Sequence, residues 1–447
     1  MKRVLVPAAA LLAGLTFLAP LRGDEPSAAE RGKAHLLGQA YNPPTIPLDV
    51  WQNLWKQWGL TEKPSDAEFA RTLRERYGFD DAPYPNKGYP MGFREADLPL
   101  GLGKGVSQDC MLCHGGAIAG QSYVGLGNTT LDFQTFSEDL SRAMGRSGKT
   151  PFIFSNVRGT TEAAGFAVFL LGYREPDLSV RLSRLDLDLH DDMVEDPPAW
   201  WLLKKKKTMY CDGGGDQRSV RSLMQFMMSP LNAPSAFKNA EPEFKDIREY
   251  LLSLQPPKYP LPIDADLADR GEGLFLANCA RCHGTYGANW TYPNKIIPLK
   301  KIGTDRKRFD GLSKKYGDYY NKSWFTEEYK TLPSVGYQAP PLDGIWATAP
   351  YLHNGSVPMV YGVLNSKARP KIFTRSYRTD LDAYDAQNLG WKVQVLDAPP
   401  DPDKTPAIER RKVYDTTQPG RGNGGHTYGD ALTDPDRRAI IEYLKTL

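Results

Sequence analysis

Cys279-Ala280-Arg281-Cys282-His283 is the stretch on which the reading of this chain turns. Two thiols three positions apart lie on one side of a helical turn. From there both can form thioether bonds to the two vinyl groups of one porphyrin. The histidine that follows is placed to bring its imidazole under the ring as an iron ligand, which is the chemistry of covalent haem attachment. Cys110-Met111-Leu112-Cys113-His114 repeats the pattern 169 residues earlier. One copy alone also reads as a redox dithiol or half of a zinc site. Two copies, both closed by histidine, read as two c-type haems, with Cys110, Cys113, Cys279 and Cys282 as attachment points and His114 and His283 as iron ligands.

The bulk composition agrees. With 40% hydrophobic and 24% charged residues among 447, the chain is globular, and 41 glycines with 36 prolines make it loop-rich. A net charge of +3 is too small to argue for a nucleic-acid partner or an anionic membrane surface. Lys2 and Arg3 precede an apolar run from Val4 to Ala19, and Gly23 precedes a polar start at Asp24. Residues 1–23 therefore read as an export signal, with an uncleaved anchor as the other reading of the same run. A periplasmic or secreted location follows, and haem attachment to cysteine takes place outside the cytoplasm. No later stretch is apolar enough to cross a bilayer, so no stable membrane insertion is expected. Four of the five cysteines are committed to haem, which leaves Cys211 as a buried, inert thiol.

The expected fold is mainly α and loop-rich, built as two c-type cytochrome domains with one covalent haem each. Residues 24–255 form the N-terminal haem domain with an irregular N-terminal extension, residues 256–263 a proline-rich linker, and residues 264–447 the C-terminal domain. Trp51, Leu54, Trp55 and Trp58 fall at helical spacing. Glycines between Gly115 and Gly127 predict a loop around the first haem edge, and a helix follows from Asp132 to Met144. Amphipathic helices close both domains, in "EPEFKDIREYLLSL" and in "DPDRRAIIEYLKTL". Asp434 is expected as N-cap of the second, with Pro435 in its first turn. A leading helix over 264–278 precedes the second motif. The basic run from Lys300 to Lys315 and the cluster Lys204 to Lys207 read as solvated faces. The basic run has a second reading, as a docking patch for an acidic redox partner or as cations near haem propionates.

Sixth ligands decide what each haem does. His426 sits in "GRGNGGHTYGD", where flanking glycines let the backbone approach an iron closely, and it is the candidate distal ligand of the second haem. His353, in "TAPYLHNGSVP", is expected beside the second haem rather than as its ligand. His35 and His190 read as surface residues. No comparable loop serves the first haem. Met193, Met209, Met224, Met227 and Met228 are ligand types, but at that density they read as packing, so the first sixth position is expected open. Trp200 and Trp201, after a proline pair, are the candidate catalytic residues, as an electron relay between the haems.

"TAPYLHNGSVPMVYGVL" after the second C-x-x-C-H resembles the bacterial di-haem cytochrome c peroxidase superfamily. Within it, "APYLHNGSVP", "GNGGHTYGD" and "IIEYLKTL" are more similar to the rubber oxygenase branch. That resemblance implies a C-terminal histidine as distal ligand of the second haem, a first haem kept open for dioxygen, and a tryptophan between the haems. It covers residues 264–447 and the surroundings of "GVSQDCMLCHGG". Rubber oxygenases are considerably longer, and peroxidases of the superfamily carry a methionine ligand and a departing histidine that have no counterpart here. The leading expectation is a peroxidase-like oxidoreductase acting on hydrogen peroxide or dioxygen, with a small redox protein as electron donor or acceptor. A dioxygenase for an apolar unsaturated compound and an electron-transfer cytochrome without catalysis are the alternatives.

Overall fold

The computed structural model describes residues 25–98, 101 and 103–447. The expected export signal, residues 1–23, lies outside them. Helix accounts for 38% and strand for 13%, in agreement with a mainly α, loop-rich chain. Among the described residues seven helices have nine residues or more: α1 Ala28–Gly38, α2 Asp66–Tyr77, α3 Phe133–Ala143, α4 Ala163–Leu171, α5 Pro234–Ser253, α6 Ala265–Asn278 and α7 Asp434–Lys445. Among the described residues no helix is long and apolar enough to cross a membrane.

Local sequence sets where these helices start. Ser27 with Glu30 and Ser65 with Glu68 form reciprocal capping boxes at α1 and α2. Asp132 and Asp264, at which two helices were expected to begin, accept backbone N–H bonds at the starts of α3 and α6. At α7 the cap is Thr433 rather than Asp434. Its hydroxyl accepts from the Asp436 N–H, which moves Asp434 into the first turn beside Pro435, where its charge favours the helix N-terminus.

Two helix crossings dominate. α1 packs across α5, and α6 packs across α7. Both depend on a glycine. A Cβ at Gly32 would lie 2.0 Å from the Asp246 carbonyl oxygen, and one at Gly271 would lie 1.9 Å from that of Ala439. No other residue allows the two backbones that close. Each crossing presses a leading helix onto a closing one. The first leading helix was not legible, because 71 residues separate the end of α1 from Cys110.

The segment before the first motif is not irregular. Strands β1 Ile46–Pro47, β2 Phe93–Asp97 and β3 Lys104–Gln108 form a sheet in the order β1-β3-β2. Beneath it Trp51, Tyr77, Phe79, Phe93 and Phe136 make an aromatic core that also holds Leu112 and Cys113. The extension is thus a wall of the first motif. The tryptophan stretch splits into a short helix, Leu48–Gln52, and a 3-10 turn, Leu54–Trp58. The glycine-rich stretch after His114 is a hairpin, β4 Gly115–Ile118 with β5 Gln121–Val124, and not a loop. Its glycines serve close packing: a Cβ at Gly116 would meet the Gly127 carbonyl at 2.4 Å.

Candidate functional site

α6 ends at Cys279, and the turn Ala280–His283 carries the rest of the second motif. His283 Nδ1 lies 2.8 Å from the carbonyl oxygen of Pro340. A carbonyl only accepts, so Nδ1 is the donor, and the Nε2 lone pair is free to bind a metal. Burial holds the ring below its usual basicity, which keeps that lone pair unprotonated.

The His426 ring faces it with 6.2 Å between centroids and 58° between planes. Metal–imidazole bonds of about 2 Å put two ligating nitrogens about 4 Å apart, and the ring centroids about 6 Å apart. The pair fits an iron held between two imidazoles. His426 Nδ1 is buried with no protein partner, and burial pushes the ring's pKa down to about 4. Three devices hold it there. Gly425 and His426 both have positive φ, 72° and 46°, which turns the loop inward. The His426 N–H donates to the Ile302 carbonyl at 2.8 Å. Arg369, which sequence reasoning missed, donates to the carbonyls of Asn423, Gly425 and His426 at 2.5, 2.7 and 3.2 Å.

The first motif repeats the proximal arrangement. His114 Nδ1 donates to the Pro198 carbonyl at 3.1 Å, and burial pushes the ring's pKa down to about 4. Trp200 stacks on the His114 ring at 4.9 Å and 24°. The Trp200 N–H donates to the Gly125 carbonyl, and the Gly125 N–H to the His114 carbonyl, so β5's end fixes both rings. Trp201 is buried, and its Nε1 donates to the Asp343 carbonyl at 2.8 Å. Lys205 holds the Asp343 carboxylate at 2.7 Å. Asp343 lies three residues after Pro340, the acceptor of His283. Trp200 and Trp201 therefore bridge the surroundings of the two motif histidines.

Among the described residues no second histidine ring faces His114 as His426 faces His283. His35 bonds to Gln39 at the surface, and His190 is exposed beside Asp188. Met193 lies against Gly165 and Gly311, whereas Met224, Met227 and Met228 are buried in the core that also holds Cys110 and Trp200. His353 stacks on Tyr337 at 4.0 Å with its Nε2 unpartnered, and Tyr337 packs in one cluster with Cys282 and Cys211. That places His353 on the second motif's side.

All five cysteines are unpaired. Burial raises the thiols of Cys110, Cys113, Cys211 and Cys279, that of Cys279 to about 11 and those of Cys113 and Cys211 to about 12, which favours the thiol over the reactive thiolate at the half-buried Cys211. Two solvated faces need correction. Lys205 is buried over Tyr286 and Trp290, and Arg308 is buried in an ion pair with Glu195. In each case a carboxylate or an aromatic ring supplies what water would have.

Residues 336–374 match a family described as RoxA-like, cytochrome c-like. The match spans Tyr337, Pro340, Asp343 and His353. Two proteins of Sinorhizobium fredii (strain NBRC 101917 / NGR234), both bearing only the designation of uncharacterized protein, are similar over part of the chain. Protein y4iM is 30% identical over 246 residues, covering 45% of this chain and 53% of its own length. Protein y4iJ is 28% identical over 263 residues, covering 43% of this chain and 41% of its own. The matches thus span about half the length of these relatives. The chain carries a cytochrome c-like domain, and with it the implication of a c-type haem.

Proposed function

We propose that this chain is an exported di-haem c-type oxidoreductase of peroxidase type, with peroxide or dioxygen as the oxidant at the first haem. One observation carries the reading: both motif histidines are tethered alike through Nδ1, yet only His283 faces a second imidazole. Equal tethering suits two haems, and unequal distal faces suit two different tasks. Bound at these motifs, c-type haems would supply one-electron redox chemistry and an iron site for the oxidant.

The chain's own residues divide the work. Cys110, Cys113, Cys279 and Cys282 fix the two porphyrins covalently. His283 and His426 would both ligate the iron at the second site, which would suit that site to storing an electron. Of histidines, His114 stands alone at the first. Trp200 and Trp201 supply an aromatic path between them, held at one end by stacking on His114 and at the other by Asp343 and Lys205. His353 and Tyr337 pack beside the second site.

The RoxA-like match favours a second reading, in which the same open site directs dioxygen at an apolar unsaturated compound. One experiment separates the readings. The exported holoprotein is assayed for two haems by pyridine haemochrome and for spin state by low-temperature EPR, oxidised and half-reduced. It is then given either hydrogen peroxide with a one-electron donor, or dioxygen with an olefin and no reductant. Peroxide turnover with a high-spin signal supports the peroxidase reading, and oxygen uptake without reductant supports the oxygenase. Two low-spin signals at both levels would sink both and leave an electron carrier.

A further inference from the structure

Charge is unevenly spread in this chain. Residues 295–322 hold nine Lys and Arg against three Asp and Glu, so this stretch carries +6 in a protein whose total is +3. Arg308 is buried and paired, Arg306 pairs with Asp310, Lys314 with Asp318, and Lys315 with Asp186. Lys300, Lys301 and Lys307 are exposed and make no ion pair among the described residues.

These lysines lie next to the second site. The helical turn Leu299–Ile302 carries Lys300 and Lys301 and ends on the carbonyl that accepts the His426 N–H. A Cβ at Gly425 would meet Gly303 at 2.2 Å, so the two loops are in backbone contact. Two residues beyond His426, Tyr428 sets its ring edge-on to that histidine at 5.2 Å, and Arg281 lies over the same ring at 6.0 Å. Arg281 sits inside the C-x-x-C-H turn, is exposed, and has no carboxylate partner among the described residues. Tyr428 is partly exposed, and Lys307 closely follows Asp305, which accepts from the Gly422 N–H. The aromatic ring under Arg281 and the segments carrying Lys300, Lys301 and Lys307 are thus all joined to the loop of His426.

We infer that this surface, built around Tyr428, Arg281 and the lysine-bearing turn beside the His426 loop, docks a small acidic one-electron carrier protein that exchanges electrons with the second site. The inference rests on the proposed function for the haem at that site. An exposed aromatic ring brings the two proteins close after water is expelled, and unpaired cations select and orient an acidic partner before contact. With a haem held by Cys279, Cys282 and His283, each encounter would pass one electron from the carrier to that site. No proton or atom changes hands.

The test uses the holoprotein with two probes, a small acidic cytochrome c and a small basic one. Carbodiimide cross-linking followed by peptide mass spectrometry reads the docking site independently of turnover, and stopped-flow reduction at rising ionic strength reads the electrostatics. The expected result is cross-links from the acidic probe to Lys300, Lys301 or Lys307, with a reduction rate that falls as salt rises. A Lys300→Glu, Lys301→Glu double variant should cut the low-salt rate about tenfold or more, while Lys63→Glu, Lys245→Glu on other exposed positions should not. Cross-links elsewhere, equal losses in both double variants, or faster reaction with the basic probe would overturn the docking surface while two haems by pyridine haemochrome leave the proposed function standing. A preparation with no haem at the second motif would overturn both.

Discussion

The imidazole of His114 lies nearly parallel to the indole of Trp200, 4.9 Å away, while the next residue, Trp201, sends its Nε1 in the other direction to Asp343. Two adjacent residues therefore face two different centres. In a short 3-10 turn, Trp200–Lys205, neighbouring side chains diverge, which is what lets one dipeptide touch both.

That divergence makes the two tryptophans separable by mutation. Trp201→Phe keeps a ring but loses the bond to Asp343, and should cost about 1 kcal/mol of stability. Redistribution of electrons between the haems after photoreduction, followed by transient absorption, should slow. Trp200→Leu should slow it as well and also alter the first haem's proximal signature. Unchanged redistribution in both variants would remove the pair from the route.

His426→Ala should convert one low-spin haem to high-spin while two haems remain attached, as read by EPR and pyridine haemochrome. Arg369→Leu should give a mixture of the two spin states, because the loop loses its three carbonyl tethers without losing the ligand itself. An Arg369→Leu spectrum identical to the native one would show that the backbone bond to Ile302 suffices.

Gly271→Ala should be strongly destabilising, by about 3 kcal/mol or more, since the added methyl has only backbone to displace at 1.9 Å. Gly273→Ala, two residues on in the same helix, meets nothing within 4 Å and should stabilise by about 1 kcal/mol. Chemical denaturation of the pair checks the crossing directly, because propensity alone would move both in the same direction.

Burial beside Asp192 and Glu195 pushes the Glu162 carboxyl from 4.5 up to about 8. Between those values the unfolded chain has released a proton that the folded chain still holds. Stability therefore falls as pH rises from 4.5 to 8, by an amount on the order of a few kcal/mol. Glu162→Gln should flatten that slope and raise the denaturation midpoint at pH 8. Asp80, pushed up to about 7 by burial, works in the same direction over the lower part of the window.

The chemistry was more legible than the architecture. The spacing of Cys279, Cys282 and His283, the glycines around His426 and the start of α6 at Asp264 are local signals, legible from a few residues of sequence each. What escaped was set by distant partners. The carbonyls that orient both motif histidines belong to Pro198 and Pro340, 84 and 57 residues away. Arg369 holds its loop from 57 residues upstream of His426. Lys205 looks like one of four surface lysines until Asp343 and two aromatic rings enclose it. The hairpin after His114 was hidden because its glycines serve backbone contact as well as turning.

The glycine-dependent crossing of α1 and α5 joins residues 28–38 to residues 234–253, and so sets an order of assembly. Every residue of the first motif lies between these two segments in the chain. Contacts so far apart in sequence are slow to close, because a long loop has to be gathered first. Cys110 packs against the core to which α5 contributes, so its surroundings are complete only once α5 has been synthesised and docked, whereas Cys113 lies against an aromatic core of residues nearer to it in the chain. The two thiols of one motif thus wait on partners at very different distances along the chain.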